Sequence, residues 1–131
     1  MSYLLDVNML LACGWGSHRQ HAKVAAWIAR QPLFYTCAIV ELGFVRVSMS
    51  PAYQASFVDA QTALASITQM KSARFLMDDL HVSAIPVVTS YSDTTDAYLV
   101  GLARKHAVTL ATLDDILCKR AWAASSAVNP I

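Results

Sequence analysis

Hydrophobic residues in this chain come in short runs, each closed by a polar or charged position, and the spacing changes from run to run. Residues 2–6 (SYLLD) form a short apolar run ended by an acid, and VNMLLACGW after it reads as a short helix. A strand therefore feeds a helix at the N-terminus. Across residues 18–30 apolar positions recur at Ala22, Ala25, Ala26, Ile28 and Ala29 with Arg and Lys between them, which predicts an amphipathic helix stopped by Pro32. LFYTCAIV is rich in aromatic and β-branched residues, so its first half predicts a second strand. The chain then enters a helix, capped by Thr36, that carries Glu41, Phe44, Val45 and Val47.

Residues 49–51 break that helix, and residues 54–70 predict a long, sparsely charged one. Two short apolar stretches, 74–77 and 84–88, read as extended segments. Residues 90–94 are polar and loop-like, with Thr94 or Thr95 the expected N-cap of a helix over 96–106. A strand over 108–111 runs into Thr112–Asp114, a last helix starts at Ile116, and the tail ASSAVNPI reads as loose. Strands alternating with helices predict an α/β protein with a parallel sheet, and 131 residues fit one domain spanning 1–131.

At 56% hydrophobic and 15% charged, the chain has the composition of a folded protein. So large an apolar fraction in a small chain predicts that part of it is covered in an oligomer or partner interface. No uncharged stretch is both long and apolar enough to span a bilayer. MSYLLD lacks a basic leader and reaches an acid at position 6, unlike a signal peptide. Cys13, Cys37 and Cys118 are odd in number, widely spaced and set among apolar neighbours. They read as reduced core thiols of a cytoplasmic protein rather than as a disulfide or zinc site.

The chemistry lies in four acids at the ends of apolar segments: Asp6, Glu41, Asp96 and Asp114. A carboxylate there is costly to desolvate and persists only when compensated. Several such acids from distant parts of a chain most economically share one divalent cation. The set therefore points to a metal-dependent enzyme acting on phosphodiesters. Ligands of an open parallel sheet bind beyond the carboxyl ends of its strands, where all four acids can meet. Mg²⁺ and Mn²⁺ take oxygen ligands, typically one or two carboxylates plus waters and phosphate oxygens. If Asp115 joins the four, only four acids remain against ten Lys and Arg, a basic rim suited to a polyanion.

Taken singly, Asp96 also fits a helix N-terminal acid, and the Asp114–Asp115 pair also fits a turn or N-cap. Asp6 between Leu5 and Val7, and Glu41 between Val40 and Leu42, are harder to explain as solvated residues. Asn8 would point to the same side as Asp6, to orient a ligand or to cap a loop. Thr112 stands two positions before Asp114, suited to hydrogen-bond the site from behind. Arg46, five residues after Glu41, suits a phosphate contact less well than a surface or structural pairing. His18 and His21 lack the third ligand of a metal site.

At these residues the chain resembles the PIN-domain endoribonucleases, most closely the toxin subunits of VapBC-type toxin–antitoxin pairs. LLDVNMLLA is similar to the opening motif with the first acid, ELGFVRV to the second, and FLMDD to a segment common before the third. TDAYLVGLA is similar to the third and LATLDD to the fourth, in order over residues 3–115. The resemblance implies a three-layer α/β/α sandwich with a central parallel sheet, Mg²⁺ or Mn²⁺ at the acidic site, and ribonuclease activity. It further implies a homodimer inhibited by a VapB-like antitoxin whose C-terminal segment covers the toxin groove. Carried over residue by residue, the acids are Asp6, Glu41, Asp96 and Asp114, with Asn8 and Thr112 as polar neighbours. Where the family commonly has an aromatic residue shortly after the fourth acid, this chain has Asp115-Ile116-Leu117, which leaves the role of Asp115 open.

The sequence thus predicts an endoribonuclease that cleaves unpaired RNA by metal-activated water. Asp6 and Asp96 are its first candidate ligands, Asp114 and Glu41 complete the site or orient the water, and Arg19, Lys23, Arg46 and Arg104 are candidates for holding phosphates. The rival expectation is a non-catalytic PIN-like protein that binds RNA or antitoxin. A phosphatase with Asp6 as nucleophile is disfavoured, because DVN lacks the second aspartate of such sites.

Overall fold

The computed structural model describes all residues from 1 to 131. Its strands are β1 (Tyr3–Leu5), β2 (Phe34–Cys37), β3 (Ala73–Leu76), β4 (Thr109–Ala111) and β5 (Ala127–Val128). They form one parallel sheet in the order β3-β2-β1-β4-β5. β1 is central, with Leu4 opposite Tyr35 on one side and Leu110 on the other. A strand buried on both flanks must be apolar throughout, and Leu4, Leu5, Phe34 and Leu110 are fully buried.

The helices are α1 (Val7–Gly14), α2 (His21–Ala29), α3 (Ala38–Ser48), α4 (Phe57–Thr68), α5 (Thr94–Lys105) and α6 (Asp115–Lys119). The chain runs outward from β1 through β2 to β3, then returns past β1 to β4 and β5. Right-handed crossovers in opposite directions put helices on opposite faces. Helices α1 to α4 accordingly pack on one another, and α5 packs against β4. The reversal makes the β1–β4 boundary the switch point of the sheet, where open α/β folds bind their ligands.

Gly43 and Gly101 set two close approaches. A Cβ on Gly43 would lie 2.7 Å from Val7 Cγ2, so its absence lets α3 meet α1. A Cβ on Gly101 would lie 2.9 Å from Leu80 Cδ2, so the segment after β3 lies directly over α5. That segment is also tied to the end of α5. The Asp79 carboxylate accepts from His106 Nε2 at 2.8 Å, and Lys105 Nζ donates to the Asp79 carbonyl. No helix is long and apolar enough to cross a membrane.

Several local expectations are corrected. Thr36 does not cap α3: it lies in β2, and Cys37 takes the N-cap position with no side-chain bond. Residues 84–88 form no strand. A 3₁₀ turn, Val82–Ala84, leads into Pro86, which has no N–H to give a ladder. Helix α5 is preceded not by a threonine cap but by a 3₁₀ turn, Tyr91–Asp93, that runs directly into it with Asp93 at the N-cap position. Residues 18–20 lie before α2 rather than in it. The tail is not loose. Leu110 N donates to Ser126 O at 2.8 Å and Thr112 N to Val128 O at 2.9 Å, so β5 completes the sheet.

Candidate active site

Asp6 leaves β1 and begins α1 in one step. Its extended backbone is held to the sheet by Asp6 N donating to Ala111 O at 2.9 Å, while Oδ1 accepts from Val7 N at 2.8 Å as the cap of α1. The residue is only 7% exposed. Its second oxygen, Oδ2, accepts from the hydroxyl of Thr112 at 2.8 Å, directly after β4. Thr112, fully buried, also accepts from Asn8 Nδ2 at 3.0 Å and from Asp114 N at 3.1 Å. Asn8 Oδ1 accepts from Leu113 N at 3.0 Å. Asp114 in turn caps α6, with Oδ1 accepting from Ile116 N and Leu117 N at 3.0 and 3.1 Å. One threonine thus fixes the ends of both central strands relative to each other.

Asp96 approaches from the first turn of α5. Burial, followed by the charges of Asp6, Asp114 and Asp93, raises its carboxyl to about 6. Burial also raises Asp6; the bonds from Thr112 and Val7 offset part of this, and the charge of Asp114 adds to it. Asp6, Asp96 and Asp114, from three separate elements, therefore lie in one electrostatic neighbourhood at the switch point. No three His, Cys, Asp or Glu side chains close to the spacing of a ready-made ion cage. The donor set nonetheless fits a hard divalent cation, which requires only one or two carboxylates plus waters, and whose charge would reverse the repulsion.

Glu41 stands differently. Its Oε2 accepts from the Thr36 hydroxyl at 2.7 Å, and its charge is not among those acting on Asp6 or Asp96. It borders an apolar groove of about 330 Å³ lined by Leu42, Phe57 and Phe75. The structure thus brings three of the four acids together and leaves Glu41 at the margin, held by Thr36. Arg46 has no structural pairing: the ion pairs of the chain run from Lys105, His106 and Arg120. Asp115 accepts from Asn129 Nδ2 at 2.9 Å, which ties α6 to the C-terminal tail.

Arg104 is committed elsewhere. Its Nε donates to Ser126 Oγ and its Nη2 to the Trp122 carbonyl, both at 2.7 Å, so it pins the tail and is not a free phosphate contact. His21 bonds the Ala12 carbonyl and His18 accepts from Gln20 N, both local contacts. Two members of the neighbourhood escaped the sequence reading. Asp93 lies one helical step before Asp96 and repels it, and Arg120 at the end of α6 faces Asp93 at 3.7 Å. The i, i+3 spacing of Asp93 and Asp96 was the available signal.

Comparison with known proteins agrees with this architecture. The PIN domain family matches residues 3–123. Ribonuclease VapC38 of Mycobacterium tuberculosis is 38% identical over 118 residues, covering 85% of this chain and 84% of the relative. Ribonuclease VapC44 of the same species is 35% identical over 123 residues, covering 87% of each. The crystal structure of M. tuberculosis VapC20, a Sarcin-Ricin loop cleaving toxin, superposes with a TM-score of 0.67 at 15% identity, covering 88% of this chain and 92% of that one. VapBC2 from Rickettsia felis, bound to a DNA fragment from its promoter, superposes at 0.60 and 15% identity, covering 92% of each chain.

Proposed function

Because this chain belongs to the PIN-domain family, among its VapC-type ribonucleases, we propose that it cleaves RNA internally as the toxin of a toxin–antitoxin pair, with Mg²⁺ or Mn²⁺ held by Asp6 and Asp96. One observation carries the reading: Asp6, Asp96 and Asp114 gather at the β1–β4 boundary, where the charge of Asp114 raises Asp6 and the charges of Asp6 and Asp114 raise Asp96. A bound divalent ion would supply positive charge to the phosphate and acidify a water. Asp6 is fixed by Thr112 and the start of α1, so its carboxylate presents donors with little reorganisation. Asp114, whose Oδ1 is committed to α6, keeps Oδ2 to complete the site or orient the attacking water. Glu41, whose Oε2 is held by Thr36, would do the same from the α3 side.

Asn8 and Thr112 act as positioning residues, setting the distance between the strand ends that carry Asp6 and Asp114. Asp115 takes no part in the chemistry and secures the tail through Asn129. The apolar groove beside Glu41 suits the C-terminal segment of a VapB-like antitoxin, which would cover the acids. Other exposed apolar side chains, among them Val82, Val87 and Tyr91, suit a homodimer contact. We read residues 1–131 as one PIN-like domain acting in the cytoplasm.

The test is cleavage of a mixed cellular RNA pool by the purified, antitoxin-free protein in Mn²⁺, Mg²⁺ or EDTA, beside Asp6→Asn, with ends mapped by sequencing. Discrete metal-dependent cuts that the variant does not make are expected. Absence of cutting by a folded wild-type protein would sink the nuclease reading in favour of a binding module.

A further inference from the structure

We propose that Arg46 and the recess beside it form a subsite for RNA, taking the phosphate and nucleoside next to the bond that is cut; the inference rests on the ribonuclease reading above. The recess, about 130 Å³, lies between α1, α3 and α5 and is lined by Val7, Ile39, Leu42, Gly43, Arg46 and Thr95. Val7 directly follows Asp6 and Thr95 directly precedes Asp96, so the recess adjoins the backbone that carries both carboxylates, which themselves lie outside its lining. Its volume is that of about four waters of liquid, the scale of one phosphate or one pyrimidine ring.

Arg46 is the polar wall. Its guanidinium takes part in none of the ion pairs or hydrogen bonds of the chain, whereas Arg104 is fully engaged and Arg120 faces Asp93. A place in the last turn of α3 favours a cation there but calls for no recess beside it. Gly43 and Val7 meet in the lining of the recess, where a Cβ on Gly43 would lie 2.7 Å from Val7 Cγ2. Leu42 and Ile39, four and seven residues before Arg46 on the same face of α3, are apolar and suit an unstacked base or a ribose, with Val7 and Thr95 on the other side.

Charge selects the occupant. Asp6, Asp93, Asp96 and Asp114 repel an incoming polyanion, and an unpaired guanidinium at their edge offsets that repulsion where the strand must pass. A strand reacting at the carboxylates necessarily lays its neighbouring phosphate along an adjoining wall, and this wall carries the free cation. Single-stranded RNA, with splayed bases, is the form able to seat a nucleoside in so small an opening.

The experiment compares wild type, Arg46→Ala and Arg46→Lys by fluorescence anisotropy with a short, labelled, single-stranded oligoribonucleotide of mixed sequence. Titrations are run in EDTA over a range of KCl, and KM and kcat are measured with Mn²⁺ on the RNA found to be cut. Arg46→Ala is expected to weaken binding about tenfold and to flatten the log–log salt dependence by about 0.7, the contribution of one phosphate contact on a single strand. KM should rise by a similar factor with kcat held within about twofold. Arg46→Lys should keep the salt slope and lose part of the affinity, since an ammonium holds phosphate as a point charge.

An unchanged slope and an unchanged KM in a variant that still folds would overturn the subsite. So would a loss confined to binding of an acidic antitoxin peptide, which would assign Arg46 to the protein partner. A wild type that cuts no RNA defeats the ribonuclease reading instead, and the anisotropy slope still decides the fate of Arg46.

Discussion

The hydroxyl of Thr112 donates to Asp6 Oδ2 at 2.8 Å across the junction of β1 and β4, joining residues 106 positions apart in sequence. The same oxygen accepts from Asn8 and from the amide of Asp114. Both strand ends and both acids therefore take their relative position from one side chain. Thr112→Val keeps the shape and removes every bond. It should cost about 2 kcal/mol in a urea melt at neutral pH, because the buried Asp6 carboxylate loses a charge-assisted donor. It should also lower kcat/KM by about 10- to 100-fold, the usual range for groups that orient metal ligands. Thr112→Ser should recover most of both. An equally active Thr112→Val would show that the acids are positioned without it.

Asp96 makes stability depend on pH, and the sign follows from its position. Its folded-state carboxyl is raised to about 6 from an ordinary 3.8. Below about pH 4 it is protonated in both states and contributes nothing. Between pH 4 and 6 the unfolded chain ionises first, so stability falls, and above 6 the full penalty remains. The displacement sets a ceiling near 3 kcal/mol, and solvent screening at this half-buried group reduces it to about 1 kcal/mol. In EDTA at pH 7.5, Asp96→Asn should therefore melt about 3 °C higher than wild type, with no gain at pH 4. Mn²⁺ should stabilise the variant less than wild type. A large loss of stability in EDTA would instead assign Asp96 to holding the start of α5.

The sequence carries the sheet and much of the acid set plainly, for a physical reason. Runs such as YLLD and VTLATLD are apolar because β1 and β4 are buried on both flanks, and their terminal acids mark where the chain leaves the sheet. What it hides depends on tertiary pairing. Residues 127–128 carry no strand pattern and become β5 only because β4 offers a free edge and Arg104 holds Ser126 and Trp122 against α5. Thr36 reads as a helix cap, yet it is still in β2, one residue short of the N-cap position, and its hydroxyl donates to Glu41. Glu41, though placed on the expected helix, is held there by Thr36 and is not among the charges acting on Asp6 or Asp96. Arg120 and Asp93 lie 27 positions apart, and nothing local pairs them.

Gly43 sets the spacing of α1 and α3, and here two effects oppose each other. Replacing a mid-helix glycine by alanine ordinarily gains about 1 kcal/mol. At this position the new Cβ would lie 2.7 Å from Val7 Cγ2, and a β-branched side chain has little rotamer freedom with which to yield. Overpacking of this kind costs about 1–3 kcal/mol, so Gly43→Ala should be destabilising by about 1 kcal/mol net. Since Val7 directly follows Asp6, activity should fall as well. Combining it with Val7→Ala removes the clashing methyl and should restore the stability. Failure of the double variant to recover would mean that the recess, not the methyl, is what Gly43 protects.

Arg120 and Asp93 bring opposite charges to the rim of the acidic site, and their effects on a cation should be opposite in sign. At 3.7 Å with Arg120 nearly half exposed, the pair itself is worth little to the fold. Arg120→Ala should therefore change stability in EDTA by no more than about 0.5 kcal/mol. Asp93, which Arg120 faces, is one of the charges raising the Asp96 carboxyl. Removing the guanidinium makes the site more negative and should lower the Mn²⁺ concentration for half-maximal thermal stabilisation about threefold, while Asp93→Asn should raise it by a similar factor. Both shifts should shrink at high salt, because exposed charges are screened. Midpoints that stay put in both variants would place the bound cation beyond reach of this pair and move the candidate site toward Glu41.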